Sequence, residues 1–198
     1  MLICGIDEAG RGPLAGPVVA SAVILDKGCF IEGVADSKLL TEEEREDLFG
    51  QILDKCVSYS VSIVGNSVID EINILRATMK AMEESLDRLS KKPDKIYIDG
   101  NYFRLDNERE KTFNYETVVK GDSKIFAISC ASIIAKVTRD RIMKDLHEVH
   151  PLYNFSSHKG YATKEHIENI REHGLCEIHR ASFCRRIFEY NYKLDFDE

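Results

Sequence analysis

Val18 to Leu25 is apolar at every position except Ser21, and it follows directly on a turn that contains Gly10, Gly12, Pro13, Gly16 and Pro17. A second apolar segment, Leu2 to Ile6, stands on the other side of that turn. Short apolar runs rich in β-branched residues and bounded by Gly and Pro read as buried strands. The chain therefore opens with two strands of a sheet, and everything after them has to pack on that sheet. Tyr59, Val61 and Ile63 alternate as a third strand would. Lys95 to Ile98 and Tyr115 to Val119 supply a fourth and a fifth.

Helical signals come between and after these strands. Thr41 with Glu44 forms a capping box ahead of Leu48, Ile52 and Cys56, which share one helical face. Leu75, Met79, Met82, Leu86 and Leu89 recur at three- and four-residue intervals up to Pro93, marking a second helix. A long helix is expected from Asp122 to about Val149, with Ser129, Ala131, Ser132 and Ala135 small enough to lie close on a sheet. Another runs from near Thr163 to Gly174, and the segment from Arg180 is expected to be helical and basic before an acidic tail. Strands followed by alternating helices and strands predict an α/β fold, a mixed sheet with helices on both faces. No repeat or linker divides the chain, so residues 1–198 are expected to form one domain, with residues from about 163 onward as a helical C-terminal segment packed on it.

Composition narrows the function classes. No apolar run approaches the roughly 20 residues needed to span a bilayer, and Asp7, Glu8 and Arg11 interrupt any signal-peptide pattern at the start. Cys4, Cys29, Cys56, Cys130, Cys176 and Cys184 are scattered without a Cys-x-x-Cys pair, which reads as reduced thiols and a cytoplasmic setting. The net charge of −7 at first argues against a polyanionic partner. Two divalent cations on a carboxylate cluster would offset more than half of it. Arg11, Lys38, Lys120, Lys124, Lys136, Arg139, Lys159 and Arg180 also lie near the motifs below, whereas Glu42 to Asp47 and the tail acids lie away from them.

Three motifs carry the chemistry. Gly5-Ile6-Asp7-Glu8-Ala9-Gly10-Arg11-Gly12-Pro13 ends an apolar strand in two carboxylates and a glycine-rich turn. Ile96-Tyr97-Ile98-Asp99-Gly100-Asn101 ends a second strand in the same way. Val118-Val119-Lys120-Gly121-Asp122-Ser123 leads from a strand to the long helix, where Asp122 is either an N-cap or a third contributor at the same sheet edge. If the first two strands are parallel neighbours, Asp7 and Asp99 meet at the carboxyl edge, where open α/β sheets place ligands. Asp7, Glu8, Asp99 and Asp122 then form a four-carboxylate site. Oxygen donors without paired His or Cys favour Mg²⁺ or Mn²⁺ over zinc, and two such ions suit phosphodiester cleavage. A dinucleotide fingerprint over Gly10, Gly12 and Gly16 is excluded, because Pro17 and the strand after it stand where that fingerprint needs a helix.

These motifs together resemble the ribonuclease HII family. The resemblance is carried by Asp7 to Val18, Asp36-Ser37-Lys38-Leu39, Ile72-Asn73-Ile74-Leu75, Ile98 to Asn101, Val119 to Ser123, Ser129 to Asp140, His158-Lys159-Gly160-Tyr161 and His179 to Phe183, in the family's order. It implies a ribonuclease H-like fold with a five-stranded mixed sheet. It also implies an endonuclease that uses Mn²⁺ or Mg²⁺ to cut the RNA strand of RNA–DNA hybrids and the 5′ side of a ribonucleotide embedded in duplex DNA. Asp7, Glu8, Asp99 and Asp122 would be its catalytic and metal-binding residues. The backbone of Gly10, Arg11 and Gly12 would read the ribose 2′-hydroxyl, and Tyr161 would stack on the next deoxyribose. Lys38, Lys120, Lys159 and Arg180 are the expected phosphate contacts, with Arg185 and Arg186 behind them. A monomer is expected, with contacts to replication or transcription machinery compatible with the reading.

Other patterns are weighed and set aside. His173, Cys176, His179 and Cys184 are zinc-ligand types, but their spacing straddles a helix end. Asp70-Glu71 is read as a helix start, and His147 and His150 as surface residues. Ribonuclease HIII, the sister family, would need an added N-terminal domain before a first strand that here begins at Leu2. A catalytically inactive hybrid-binding module would have no use for all four carboxylates.

Overall fold

The computed structural model describes residues 1–34, 37, 39–105 and 112–189. Lys38, Asp36 of the same motif and the acidic tail lie outside the described residues. The sheet has five strands in the order β3-β2-β1-β4-β5: β1 (Leu2–Ala9), β2 (Val18–Asp26), β3 (Ser58–Val64), β4 (Lys95–Asp99) and β5 (Tyr115–Val118). β1, β2 and β3 are antiparallel neighbours, while β4 and β5 run parallel to β1. The expected mixed sheet is therefore observed. Its register sets Ile6 beside Ile98, which puts the residues following each at the same rim.

β2 is buried at all but its last position because helices cover both faces. One face carries α2 (Asn66–Ile72) and α3 (Ile74–Asp87), with Ala77, Ala81, Met82 and Leu86 meeting Cys4, Ile6, Ala22, Ile24 and Ile98. The other carries α1 (Glu42–Lys55) and the long α4 (Phe126–Val149), with Leu48, Ile52, Ala127, Ala131 and Ile134 meeting Val23 and Leu25. Small residues bring α4 down onto β1. A Cβ at Gly5 would overlap the carbonyl of Ala127, so the helix start sits directly above the strand.

A third cluster joins the C-terminal segment to this body. Leu14, Ala15 and Met143 pack with Tyr153, Phe155, Ile167, Ile170 and Cys184. Its helices are α5 (Phe155–His158), α6 (Lys164–His173) and α7 (Ala181–Cys184). All six cysteines are free thiols, and Cys4, Cys130 and Cys184 are buried.

The Thr41 capping box forms as expected: Thr41 Oγ1 accepts from the Glu44 amide at 3.2 Å, and the Thr41 amide donates to Glu44 at 2.7 Å. Other expectations change in detail. The second helix is preceded by α2, and the two are separated at Asn73 (φ 67°), whose side chain caps α3 by accepting from the Arg76 amide. Asp70-Glu71 accordingly sits in the last turns of α2, not at a helix start. There Asp70 accepts hydrogen bonds from the Ala181 and Ser182 amides and anchors α7. Leu75 is 47% exposed, and the alanines complete the buried face of α3. The long helix begins at Phe126 rather than Asp122; a single 3₁₀ turn, Gly121–Ser123, precedes it. His147 and His150 are half-buried rather than on the open surface.

Candidate active site

β1 continues through Asp7, Glu8 and Ala9, paired to Ser21, Ala20 and Val19, so the two carboxylates belong to the strand and not to the turn. Consecutive strand residues point to opposite faces, yet Asp7 and Glu8 both line one cleft of about 250 Å³ that wraps the end of the strand. Asp99 and Asp122 line the same cleft, with Gly10, Arg11, Gly12, Lys136 and Tyr161 around them. The convergence expected from three separated motifs is thus present.

The carboxylates of Asp7, Glu8 and Asp99 are each held by a neighbouring donor. Asp7 Oδ1 accepts from the Glu8 amide at 2.7 Å, and Ser132 of α4 hydrogen-bonds the same carboxylate. Asp99 Oδ1 accepts from the Gly121 amide at 2.6 Å. Space here is tight: a Cβ at Gly121 would stand 3.3 Å from Asp99 Oδ1 and press on the Ile128 side chain. Lys120 in the left-handed region (φ 55°) turns the chain so that the Gly121 amide faces Asp99. Asp122 is nearly buried on this turn, and Ser129 Oγ donates to its main-chain oxygen at 2.6 Å. Glu8 Oε1 accepts from Arg11 at 3.2 Å.

The electrostatics of this arrangement are unbalanced. Burial pushes the Asp7 carboxyl well above the usual carboxylate range, and the charges of Glu8 and Asp99 push it further, against the hydrogen bonds from Ser132 and the Glu8 amide. Burial raises Glu8 as well, with Arg11 opposing it and Asp99 adding to it. Like charges gathered in a partly desolvated cleft need a cation to offset them. Among the described residues, no three His, Cys, Asp or Glu side chains form a group tight enough to hold a metal ion. The donor set itself, four carboxylates with hydroxyls beside them, fits a hard divalent ion.

The expected cation contacts divide sharply. Lys120 is exposed at the rim. Lys159 is nearly buried, with its ammonium donating to the Ser156 carbonyl and lying 3.9 Å from Glu42. Arg180 is fully buried beneath the Gly10–Gly16 loop, where it donates to main-chain carbonyls and does not line the cleft. Its expected place as a phosphate contact is corrected accordingly. Lys136, one of the charges near the motifs, lines the cleft. Ser132 and Lys136 are four residues apart on α4, a helical spacing that could have shown both on one face. Ser37 lines the cleft too and shares a 2.8 Å hydrogen bond with Ser132.

Of the residues noted as zinc-ligand types, Cys176 and His179 belong to a histidine cluster, while the Cys184 thiol donates to the Leu14 carbonyl. The Cys176 amide donates to His179 Nδ1 at 2.9 Å, and His179 Nε2 lies 3.1 Å from His166 Nε2. His166 Nδ1 reaches the Tyr161 carbonyl at 2.8 Å, and His158 stacks on His166 with ring centroids 4.4 Å apart. With Nδ1 of His179 accepting, its Nε2 carries the proton, so all the partners are satisfied by neutral rings.

The family model for ribonuclease HII matches residues 4–186. The chain belongs to the ribonuclease HII family. The ribonuclease HII of Caldicellulosiruptor bescii is 51% identical over 185 residues, covering 93% of this chain and 87% of that one. Among solved structures, the ribonuclease H2 of Pyrococcus horikoshii superposes with a TM-score of 0.76 at 33% identity, covering 94% of this chain and 97% of the other. The ribonuclease HII of Archaeoglobus fulgidus, solved as a complex with PCNA, gives 0.76 at 27% identity over 96% and 98%. This ribonuclease HII family member is an endonuclease of the ribonuclease H type, and it has the mixed-sheet fold of its relatives. No helix among its described residues is long and apolar enough to cross a membrane.

Proposed function

We propose that the four-carboxylate cleft is the catalytic centre, and that it cuts the RNA strand of RNA–DNA hybrids and the 5′ side of single ribonucleotides in duplex DNA. The convergence of Asp7, Glu8, Asp99 and Asp122 on one cleft is the observation that carries this reading. Asp7, Glu8, Asp99 and Asp122 would hold two Mn²⁺ or Mg²⁺ ions. Bound there, such ions supply Lewis acidity and neutralise the charge that develops in phosphodiester hydrolysis.

The chain's own groups do the rest. The Gly121 amide and Ser132 aim the carboxylates of Asp99 and Asp7. Gly10, Arg11 and Gly12 wall the cleft with main chain, which suits recognition of a 2′-hydroxyl, the group that separates RNA from DNA. Gly10, at φ 95°, allows this wall to pass close over Arg139, which a side chain there would strike. The ring of Tyr161 is 45% exposed at the cleft and offers a surface for a deoxyribose. Lys136, which lines the cleft with its ammonium on Asp140, and the exposed Lys120 would meet phosphates. A cytoplasmic monomer that meets replication machinery, as the Archaeoglobus fulgidus relative meets PCNA, completes the proposal.

The test compares a duplex with one ribonucleotide against the same duplex in DNA, with Mn²⁺, Mg²⁺ or EDTA. Cutting 5′ of the ribonucleotide, only with added metal and not in all-DNA duplex, is expected. Equal cutting of both duplexes would refute 2′-hydroxyl readout, and binding without cutting under every condition would favour an inactive hybrid-binding module.

A further inference from the structure

Two arginines lie under the loop that walls the cleft, and both are at most 1% exposed. Arg180 donates from Nη2 to the Gly10 carbonyl at 2.6 Å, from Nη1 to the Arg11 carbonyl at 3.0 Å and from Nε to the Gly16 carbonyl at 3.0 Å. Arg139 donates to the carbonyls of Pro17, Ala15 and Lys159 at 3.0–3.1 Å. All six bonds end on main-chain oxygens. Asp70 and Asp140 act on Arg180 and Arg139 only through their charge, and burying a guanidinium whose hydrogen bonds go to no carboxylate is costly, so this arrangement calls for a reason beyond filling space.

Peptide geometry supplies one. In a trans peptide, the carbonyl of one residue and the N–H of the next point in opposite directions. Arg180 draws the Gly10 and Arg11 carbonyls inward, so the N–H groups of Arg11 and Gly12 face the other way. That side is the cleft, which Gly10, Arg11 and Gly12 line and Arg180 does not. We propose that Arg180 is a positioning residue: by holding the Gly10 and Arg11 carbonyls, it presents the Arg11 and Gly12 amides as a preformed donor pair for a ribose hydroxyl. The proposal rests on the 2′-hydroxyl reading above and deepens it by naming what fixes the reading groups. Only a guanidinium can do this, because its rigid fork reaches several acceptors at once, whereas an ammonium is a single point. Fixing the amides before the substrate arrives means that binding does not have to order them.

The experiment measures affinity in EDTA, so that nothing is cut, for a duplex with one ribonucleotide and for the same duplex in DNA. Wild type and Arg180→Lys are compared as full chains, with thermal melting alongside. Wild type is expected to prefer the ribonucleotide duplex, and Arg180→Lys to lose about tenfold or more of that preference while its all-DNA affinity stays within about twofold, since the charge remains. A folded Arg180→Lys that keeps the wild-type preference overturns the proposal. Absence of preference in wild type sinks the 2′-hydroxyl reading instead. Should Arg180→Lys melt too low to bind, hydrogen exchange on wild type decides. The Arg11 and Gly12 amides are expected to be protected by the ribonucleotide duplex and not by DNA. Equal exchange with both duplexes, in a protein that still prefers the ribonucleotide duplex, overturns the assignment.

Discussion

The two walls of the cleft treat buried charge in opposite ways. On the sheet rim, burial raises Asp7 and Glu8, the charges of Glu8 and Asp99 push Asp7 further and that of Asp99 adds to Glu8, and the one described side-chain ion pair among them, Arg11 with Glu8, spans 3.2 Å at a half-exposed site. Under the glycine loop, Arg139 and Arg180 are more deeply buried, yet each spends its donors on carbonyl oxygens. Burial keeps Arg180 down to about 9 and Arg139 to about 10, so both remain charged at neutral pH. The difference separates a surface that is complete only with a ligand from one already complete. The carboxylate wall is built at the expense of stability, and the arginine wall is built into it.

Substitutions on the two walls should therefore have opposite signatures. Asp7→Asn or Asp99→Asn is expected to lower cleavage of the single-ribonucleotide duplex by about a thousandfold or more, while the melting temperature holds or rises because a repulsive charge is gone. Single-turnover assays and calorimetry check this, and a large loss of stability with activity retained would break the contrast. Arg139→Met is expected to leave three carbonyls without their donor, costing about 3 kcal/mol or more. At roughly 2–4 °C per kcal/mol for a chain of this size, melting should fall by about 10 °C. A melting point within about 2 °C of wild type would show that water replaces the guanidinium at little cost.

A smaller effect comes from the histidine cluster that ties Tyr161 to the C-terminal segment. Burial lowers His166 and His179 from 6.5 to about 4, chiefly by desolvation. Below the unfolded value of 6.5 the unfolded chain binds protons that the fold refuses, so stability is full above that pH and falls as pH drops toward 4. A loss of several degrees in melting temperature is expected over that window, and His166→Phe should flatten it. An unchanged slope in that variant would place the acid sensitivity elsewhere.

Much of this molecule is legible in the chain because it is written in short patterns. The apolar period of α3, the Thr41–Glu44 cap and the Ile-Asp endings of β1 and β4 are local signals, and local signals set backbone conformation and which face is buried. The parallel register sets Ile6 beside Ile98, so the Ile-Asp ending of each strand brings Asp7 and Asp99 to one rim. The differences from expectation have two causes. Lys159 and Arg180 look like free cations in the sequence, because nothing nearby shows that they will be covered. The helix break at Asn73 is hard to see in the sequence because a left-handed asparagine followed by a self-cap competes locally with helix continuation.

By itself, then, the sequence determined the elements, their buried faces and the four acids with the loop beside them. Tertiary structure alone decided which charges face the substrate and which support it. The reason is reach: the carbonyls that satisfy Arg180 lie 164–170 residues away along the chain, and no pattern of neighbours can record a hydrogen bond that exists only once the last segment folds back onto the first.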